Sequence, residues 1–295
     1  MSTSSLFALG PAAFCMMLVS KEIGKLGSIP ASSALNNMNV VSVMAKKYMN
    51  LDAKTFEKLK DEVEMAVRGG DPQEVLKWLA SDKQGFSVHL PPNPGAFAFA
   101  VVSKVGFVWP SDLEARLRSD YVEIKEKTRD PNKMQSVWKL SRGINNKPNG
   151  IYIRTGNLIL ALRESTFDHA PNDMELYGMW KTIEQGTSDA TRTKQIYAKI
   201  PKFEVVRPSE PDTIGLRNLR MGDTSWFITD FRQSSKFSLD EKGARGESET
   251  YMVVTRSIPS REEFDLTNKT FSFAIFGSFD DVYFPYIVGW YDARD

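Results

Sequence analysis

"TFSFAIFGSFDDVYFPYIVGWY", residues 270–291, reads as two β-strands joined by a reversal. Side chains of a strand alternate between faces, so Phe271, Phe273 and Ile275 form one apolar face of the first strand. "GSFDD", residues 277–281, supplies the small and polar residues that a hairpin turn uses. Pro285 lacks a backbone donor, which makes the second strand either an edge strand or one that carries a bulge.

Working outward, the period stays mostly at two from about Gln195 onward. "YAKIPKFEVV" (197–206), "WFITDF" (226–231) and "ETYMVV" (249–254) are strand-like. Asn149-Gly150 is a turn signal followed by Ile151 and Ile153, then by Leu158, Leu160 and Leu162 in alternation. "AFAFAVV" (96–102) reads as a strand after the proline-rich linker "HLPPNPG" (89–95), which can continue neither a helix nor a central strand.

Upstream, helical signals dominate. Asp52 caps a segment with Phe56, Leu59, Val63 and Val67 at helical spacing, stopped by Gly69-Gly70. Asp71-Pro72-Gln73-Glu74 is an N-cap, an N1 proline and an N3 glutamate, opening a helix that buries Val75, Trp78 and Leu79. "SDLE" (111–114) has the spacing of a capping box before Leu117, Tyr121 and Ile124. Asp130-Pro131 starts a helix to about Arg142 carrying Met134, Val137 and Trp138. Asn172 with Glu175 starts another, with Leu176, Met179, Trp180 and Ile183 on one side. The pattern predicts an α+β fold, with a helical N-terminal half and an antiparallel β-rich C-terminal part. Three stretches follow: 1–90 helical, 91–190 mixed and basic, 191–295 β-rich, as separate regions or one continuous domain.

A chain of 295 residues with 41% hydrophobic and 11% aromatic content can build a large core. The single cysteine, Cys15, excludes an internal disulfide framework and fits a reducing compartment. The apolar run from Leu6 to Val19 is too short to span a bilayer and lacks a preceding basic segment, so a buried N-terminal element is expected, with no secretory signal and no membrane partner. His89 and His169 stand in no metal-ligand or nucleophile motif, and no phosphate-cradling glycine loop occurs. No catalytic residue, metal or cofactor is therefore assigned. Asp168-His169 and the carboxylate pairs Asp240-Glu241, Glu262-Glu263 and Asp280-Asp281 are the only places where acid/base chemistry could gather, and each also suits a solvated turn.

The net charge of +1 hides an uneven distribution. Residues 129–163 hold Arg129, Lys133, Lys139, Arg142, Lys147, Arg154 and Arg163 against Asp130 alone, whereas residues 208–295 hold 10 basic and 15 acidic side chains. A cationic groove of this kind follows a phosphate backbone, with Trp138 and Tyr152 placed for base stacking and Arg192 and Lys194 on an opposite wall. Trp138 also suits a core position beside Met134 and Val137. The acidic C-terminal part could meet the basic centre of another copy, head to tail. On charge, the expectation is a non-enzymatic, self-assembling coat or nucleocapsid-type protein, cytoplasmic or in a virion, with RNA and its own copies as partners.

A second expectation comes from a resemblance. "KFSLDEKGARGESETYMVVTRSIP" (236–259) resembles the hinge and reactive loop of serpins. "IPKFEVV" (200–206) with "LRNLRMGD" (216–223) is similar to the segment upstream of it, and "KTFSFAIF" with "YIVGWYDA" to the final strand pair of that family. The resemblance implies a shortened serpin-like serine protease inhibitor with its reactive loop at 243–259. Gly243 would begin the hinge, the small even-numbered residues would face inward after loop insertion, and Arg256-Ser257 would be the bond offered to a trypsin-like protease.

Overall fold

The computed structural model describes residues 4–25, 32, 35, 39–81, 97–127, 136–140, 149–192, 196–211, 232–243, 262–279 and 282–294. In chain order these form β1 (Ser4–Phe7), α1 (Leu9–Lys25), α2 (Val40–Met49), α3 (Ala53–Glu62), β2 (Ala66–Gly70), α4 (Pro72–Ser81) and β3 (Ala98–Val102). Then come β4 (Leu113–Leu117), β5 (Tyr121–Glu126), β6 (Val137–Lys139), β7 (Gly150–Thr155), β8 (Leu158–Glu164), α5 (Asp173–Ser188) and β9 (Thr191–Arg192). The last part is all strand: β10 (Ile196–Pro201), β11 (Phe203–Pro211), β12 (Arg232–Leu239), β13 (Glu262–Asp265), β14 (Thr270–Phe279) and β15 (Val282–Asp292). The fold class is α+β, with the helices concentrated early and the strands late.

The hairpin that opened the reading lies at the heart of the molecule. β14 and β15 are neighbours in a seven-stranded antiparallel sheet of order β1-β15-β14-β8-β7-β6-β9. The register shifts beside Pro285, between the pairs Ile275–Ile287 and Phe276–Pro285, so the proline marks a bulge and not an edge. Every residue of β14 is buried. Its Phe271 and Phe273 rings meet Phe203 of β11 at 5.3 and 5.1 Å, while Phe276, on the opposite face, meets Trp180 of α5 at 5.0 Å. Gly289 stands opposite Phe273 because a Cβ there would fall 2.2 Å from its ring, so the ring lies over bare backbone.

The N-terminal apolar run is β1 plus α1. β1 pairs with β15 from Ser4–Tyr291 to Phe7–Val288, and Pro11 sits in the first turn of α1, where a missing N–H costs nothing. Cys15 donates to the Phe99 carbonyl at 3.5 Å, and burial pushes its thiol up to about 12, which makes it inert. Among the described residues no helix is long and apolar enough to cross a membrane.

Local signals hold for α4 and α5. Asn172 accepts from the Met174 and Glu175 amides, and the Glu175 carboxylate accepts from the Asn172 amide, completing a capping box. Two predicted helices are strands instead. The "SDLE" segment enters β4 and β5, and Val137–Lys139 is β6; apolar residues at 113, 115, 122 and 124 share one face of a sheet of order β13-β10-β5-β4, in which β5 pairs with β10. Long-range pairing overrides a capping signature that only fixes spacing. The helix predicted through Val67 stops at Glu62. Met65 donates to the Lys60 carbonyl and Glu64 to that of Asp61, with Glu64 at φ 40°, and Ala66–Gly70 then forms β2.

A buried ion pair ties three elements together. Arg207 of β11 donates to both carboxylate oxygens of Asp173, at 2.6 and 3.0 Å, and to the carbonyl of Leu6 in β1 at 3.0 Å. The two side chains are only 10% and 6% exposed. Removing one partner strands the other charge in a dry site. Arg207→Ala should therefore lower the unfolding free energy by about 3 kcal/mol, measured by urea denaturation, and the double variant Arg207→Met/Asp173→Leu should recover most of that loss.

Candidate functional site

Of the nine basic residues singled out from sequence, four lie among the described residues. Arg129, Lys133, Arg142, Lys147 and Lys194 lie outside the described residues. Lys139 pairs across to Ile151, and Trp138 to Tyr152, so Lys139 projects from the face opposite to Tyr152 and Arg154. Arg154 donates to the Gly156 carbonyl at 3.0 Å, within its own turn. Arg163, on β8, donates to the Thr182 carbonyl of α5, and its partial desolvation lowers its pKa. Arg192 lies on the edge strand β9, opposite Trp138. Trp138 and Tyr152 stack on each other at 5.8 Å with planes 10° apart.

The geometry that gathers chemistry lies at the end of β12. β11 and β12 form a two-stranded antiparallel sheet from Phe203–Leu239 to Pro211–Arg232. Directly after Leu239 the chain turns. The Asp240 amide donates to the Gly243 carbonyl and the Gly243 amide to the Asp240 carbonyl, both at 3.2 Å, closing a two-residue reversal over Glu241-Lys242. The Asp240 carboxylate accepts from the Lys242 amide at 2.8 Å, an Asx-type support. Gly243 has φ 110°, and a Cβ on it would stand 2.3 Å from the Phe107 carbonyl oxygen. Only glycine fits both conditions. Gly243, singled out from sequence, thus closes the turn on its far side.

The segment after this turn, residues 244–261, lies outside the described residues, and so do Arg256 and Ser257. Its far end is β13, which pairs in parallel with β10 from Ile196–Glu262 to Lys199–Asp265, in a different sheet from β12. Eighteen residues therefore connect two sheets. β13 is held by buried Phe264 and, at the surface, by Lys199, whose ammonium lies 2.7 Å from Glu263 and 3.5 Å from Asp265. The Tyr197 ring sits between Lys125 and Lys199, 5.3 and 5.5 Å from its centroid. On β5, Glu123 is buried and pairs with Lys125 and with Arg118 at 2.6 Å. Burial works to raise the Glu123 carboxyl; the two cations outweigh it and hold its pKa below the usual carboxylate range.

Of the other acid/base candidates, Asp280 and Asp281 lie outside the described residues and the Asp168-His169 pair is exposed. His169 is 57% exposed, 3.1 Å from Asp168 and 3.6 Å from Glu175; the hydrogen bond to Asp168 raises its pKa. Glu263 is engaged with Lys199 and Asp240 with its own turn. Among the described residues no group of His, Cys, Asp and Glu side chains could hold a metal.

No family model matches the sequence, and no curated protein is similar to it in sequence. Solved structures are similar in fold. A thermophilic serpin, tengpin, in its native state superposes with a TM-score of 0.54 at 11% identity, over 99% of this chain and 89% of that one. A serpin from the trematode Schistosoma haematobium gives 0.54 at 13%, over 97% and 93%, and thyroxine-binding globulin in complex with thyroxine gives 0.53 at 10%, over 98% and 92%. The fold is that of serpins. These neighbours overturn the coat or nucleocapsid expectation, with its RNA and self-assembly partners; among the described residues Lys139 lies on one face of the large sheet and Arg154 and Arg163 on the other.

Two outcomes follow from the turn and its neighbouring sheet. Gly243→Ala should cost about 1–3 kcal/mol, seen as a lower urea midpoint, because the new Cβ meets Phe107 in a backbone region that alanine avoids. Glu123, with its depressed pKa, contributes stability that is present above the ordinary carboxylate range and lost as pH falls through its folded value. The stability gap between the parent and Glu123→Gln should therefore stay constant near neutral pH and shrink as the pH falls below the ordinary carboxylate range, as followed by urea unfolding at each pH.

Proposed function

We propose that this chain is a serpin-like inhibitor of trypsin-like serine proteases. Its reactive loop is residues 243–259, and the bond offered to the protease is Arg256-Ser257. The fold supports this reading, and the observation that carries it is the closed turn at Asp240–Gly243. Among the described residues β12 pairs with β11 alone, and its second edge is the proposed place of strand addition. A chain leaving a two-residue reversal runs antiparallel to the strand before it.

Continuing the register of the turn pairs Ala244 with Leu239, Gly246 with Phe237 and Ser248 with Ser235. Those three β12 residues are buried, so small partners are what the inner face accepts. The same register sets Arg245 against Ser238 and Glu247 against Lys236, on the outer face. Lys236 already pairs with Glu204 of β11 at 2.8 Å, and Glu247 would meet it from the other side. The alternation of small even and charged odd residues is thereby accounted for by one strand position.

In the proposed reaction the protease serine attacks the Arg256 carbonyl, Ser257 leaves with its new amine, and an acyl ester joins Arg256 to the enzyme. Strand addition beside β12 then moves the ester away from the catalytic geometry before water can hydrolyse it. The even residues contribute fit, and Arg256 contributes selection by the acidic primary pocket of trypsin-like enzymes.

Incubation with trypsin should yield a complex that survives boiling in detergent, and Arg256→Ala should abolish it. Clean cleavage at Arg256 with no complex would refute the inhibitor reading. Glu247→Lys places like charges across from each other and should cost the added strand about 0.5–1 kcal/mol, so the yield of complex should fall and that of cleaved product should rise, read by densitometry.

A further inference from the structure

The first turn of α1 is buried without a side-chain cap. A helix leaves its leading N–H groups without partners of its own, and Ser, Thr, Asp or Asn ahead of the first turn commonly serves them. Here the preceding residue is Ala8, and Leu9 and Gly10 are buried. Pro11 removes one donor, while the amides of Leu9 and Gly10 remain. The bulge of β15 lies directly against this turn. A Cβ on Gly10 would stand 2.5 Å from the Pro285 carbonyl oxygen, 3.0 Å from the Tyr286 Cα and 3.1 Å from the Tyr48 hydroxyl oxygen. Glycine at position 10 lets the helix start, the bulge and the tyrosine of α2 meet.

Tyr48 aims a phenol at this junction. Its side chain is 1% exposed, and its ring lies 5.4 Å from Phe284 and, edge-on, 6.2 Å from Phe14. The hydroxyl makes no hydrogen bond among the described residues, not even to the Pro285 carbonyl. Burial pushes its pKa up, so it keeps its proton and remains a donor. A buried hydroxyl in that position calls for a partner that is not a protein group.

We propose that the junction of α1, α2 and the β15 bulge binds one internal water molecule, held by the Tyr48 hydroxyl, the Pro285 carbonyl and the leading amides of α1. The polarity of the site selects this ligand. The helix start, with its positive end, favours an acceptor. The Pro285 oxygen has two lone pairs and calls for a donor. An anion would suit the amides and be repelled by the carbonyl; a metal cation would suit the carbonyl and be repelled by the helix start. Water serves both, and three partners are the usual number for a buried water. It ties two helices to the core hairpin where the β14–β15 ladder shifts register. This role belongs to the body of the fold and goes beyond the inhibitor reading, on which it does not depend.

Tyr48→Phe keeps the ring and deletes the hydroxyl. Oxygen-17 relaxation dispersion of the solvent signal counts water molecules that stay inside a protein for longer than its tumbling time, and the variant should hold one fewer than the parent. In a high-resolution crystal structure of the parent, a water should lie within about 3 Å of both the Tyr48 and Pro285 oxygens. An equal count in parent and variant overturns the site. So does a crystal structure in which the Tyr48 hydroxyl bonds a protein atom directly, or a bromide soak with anomalous density at the junction, which would make the occupant an anion. Should Tyr48→Phe fail to fold, the crystal structure of the parent decides alone.

Discussion

Phe203 is the residue on which the arrangement turns. Its ring lies 5.4 Å from Phe237, 5.3 Å from Phe271, 5.1 Å from Phe273 and 4.7 Å from Tyr291, so one side chain of β11 joins β12, β14 and β15. Phe237 and Phe273 then stack at 4.4 Å behind it. A two-stranded sheet has no independent stability in water; it needs a hydrophobic face to rest upon. This aromatic cluster supplies that face, and Arg207 with Asp173 fixes the far end of the same strand to α5 and β1. The position of β12, and hence the direction in which the chain leaves at Gly243, is inherited from these contacts.

Electrostatics in this molecule follows the strands and not the order of residues in the chain. Lys139 and Arg154 are near in sequence and lie on opposite faces of the sheet, because alternation separates side chains that a linear count adds together. On the smaller sheet the same rule has the reverse effect. Glu123, Lys125, Tyr197, Lys199, Glu263 and Asp265 come from three distant segments and share one surface, where registers Tyr197–Lys125 and Lys199–Asp265 set opposite or aromatic partners beside each other. Such cross-strand pairs are the ordinary currency of sheet stability.

Much of this was readable from local pattern. The β14–β15 hairpin, the bulge at Pro285, the starts of α4 and α5 and the strands β7 and β8 all rest on signals confined to a few residues. The failures have a common cause. In β4 and β5 the apolar residues at 113, 115, 122 and 124 carry period two, but "SDLE" offers a helix start, and the deciding partner, β10, lies more than 70 residues away. A special part for Gly243 was legible through resemblance. Its reason, the carbonyl of Phe107 pressing on the backbone, was not, since no pattern links positions so far apart. The hydrogen bond from the Trp109 indole to the Asp240 carbonyl, 131 residues downstream, left no local signal either.

The pairing of β1 with β15 joins residue 4 to residue 291. A ribosome releases the first of these long before the second is made, so the β1 edge of the large sheet cannot form until residue 291 has been synthesised. β13, too, reaches β10 only after more than sixty intervening residues have been accommodated. Contacts of such separation slow folding, since the chain must lose the freedom of the whole intervening length before any pairing compensates. Until it is paired, β14, buried along its whole length in the folded chain, presents an apolar surface that other nascent chains could meet.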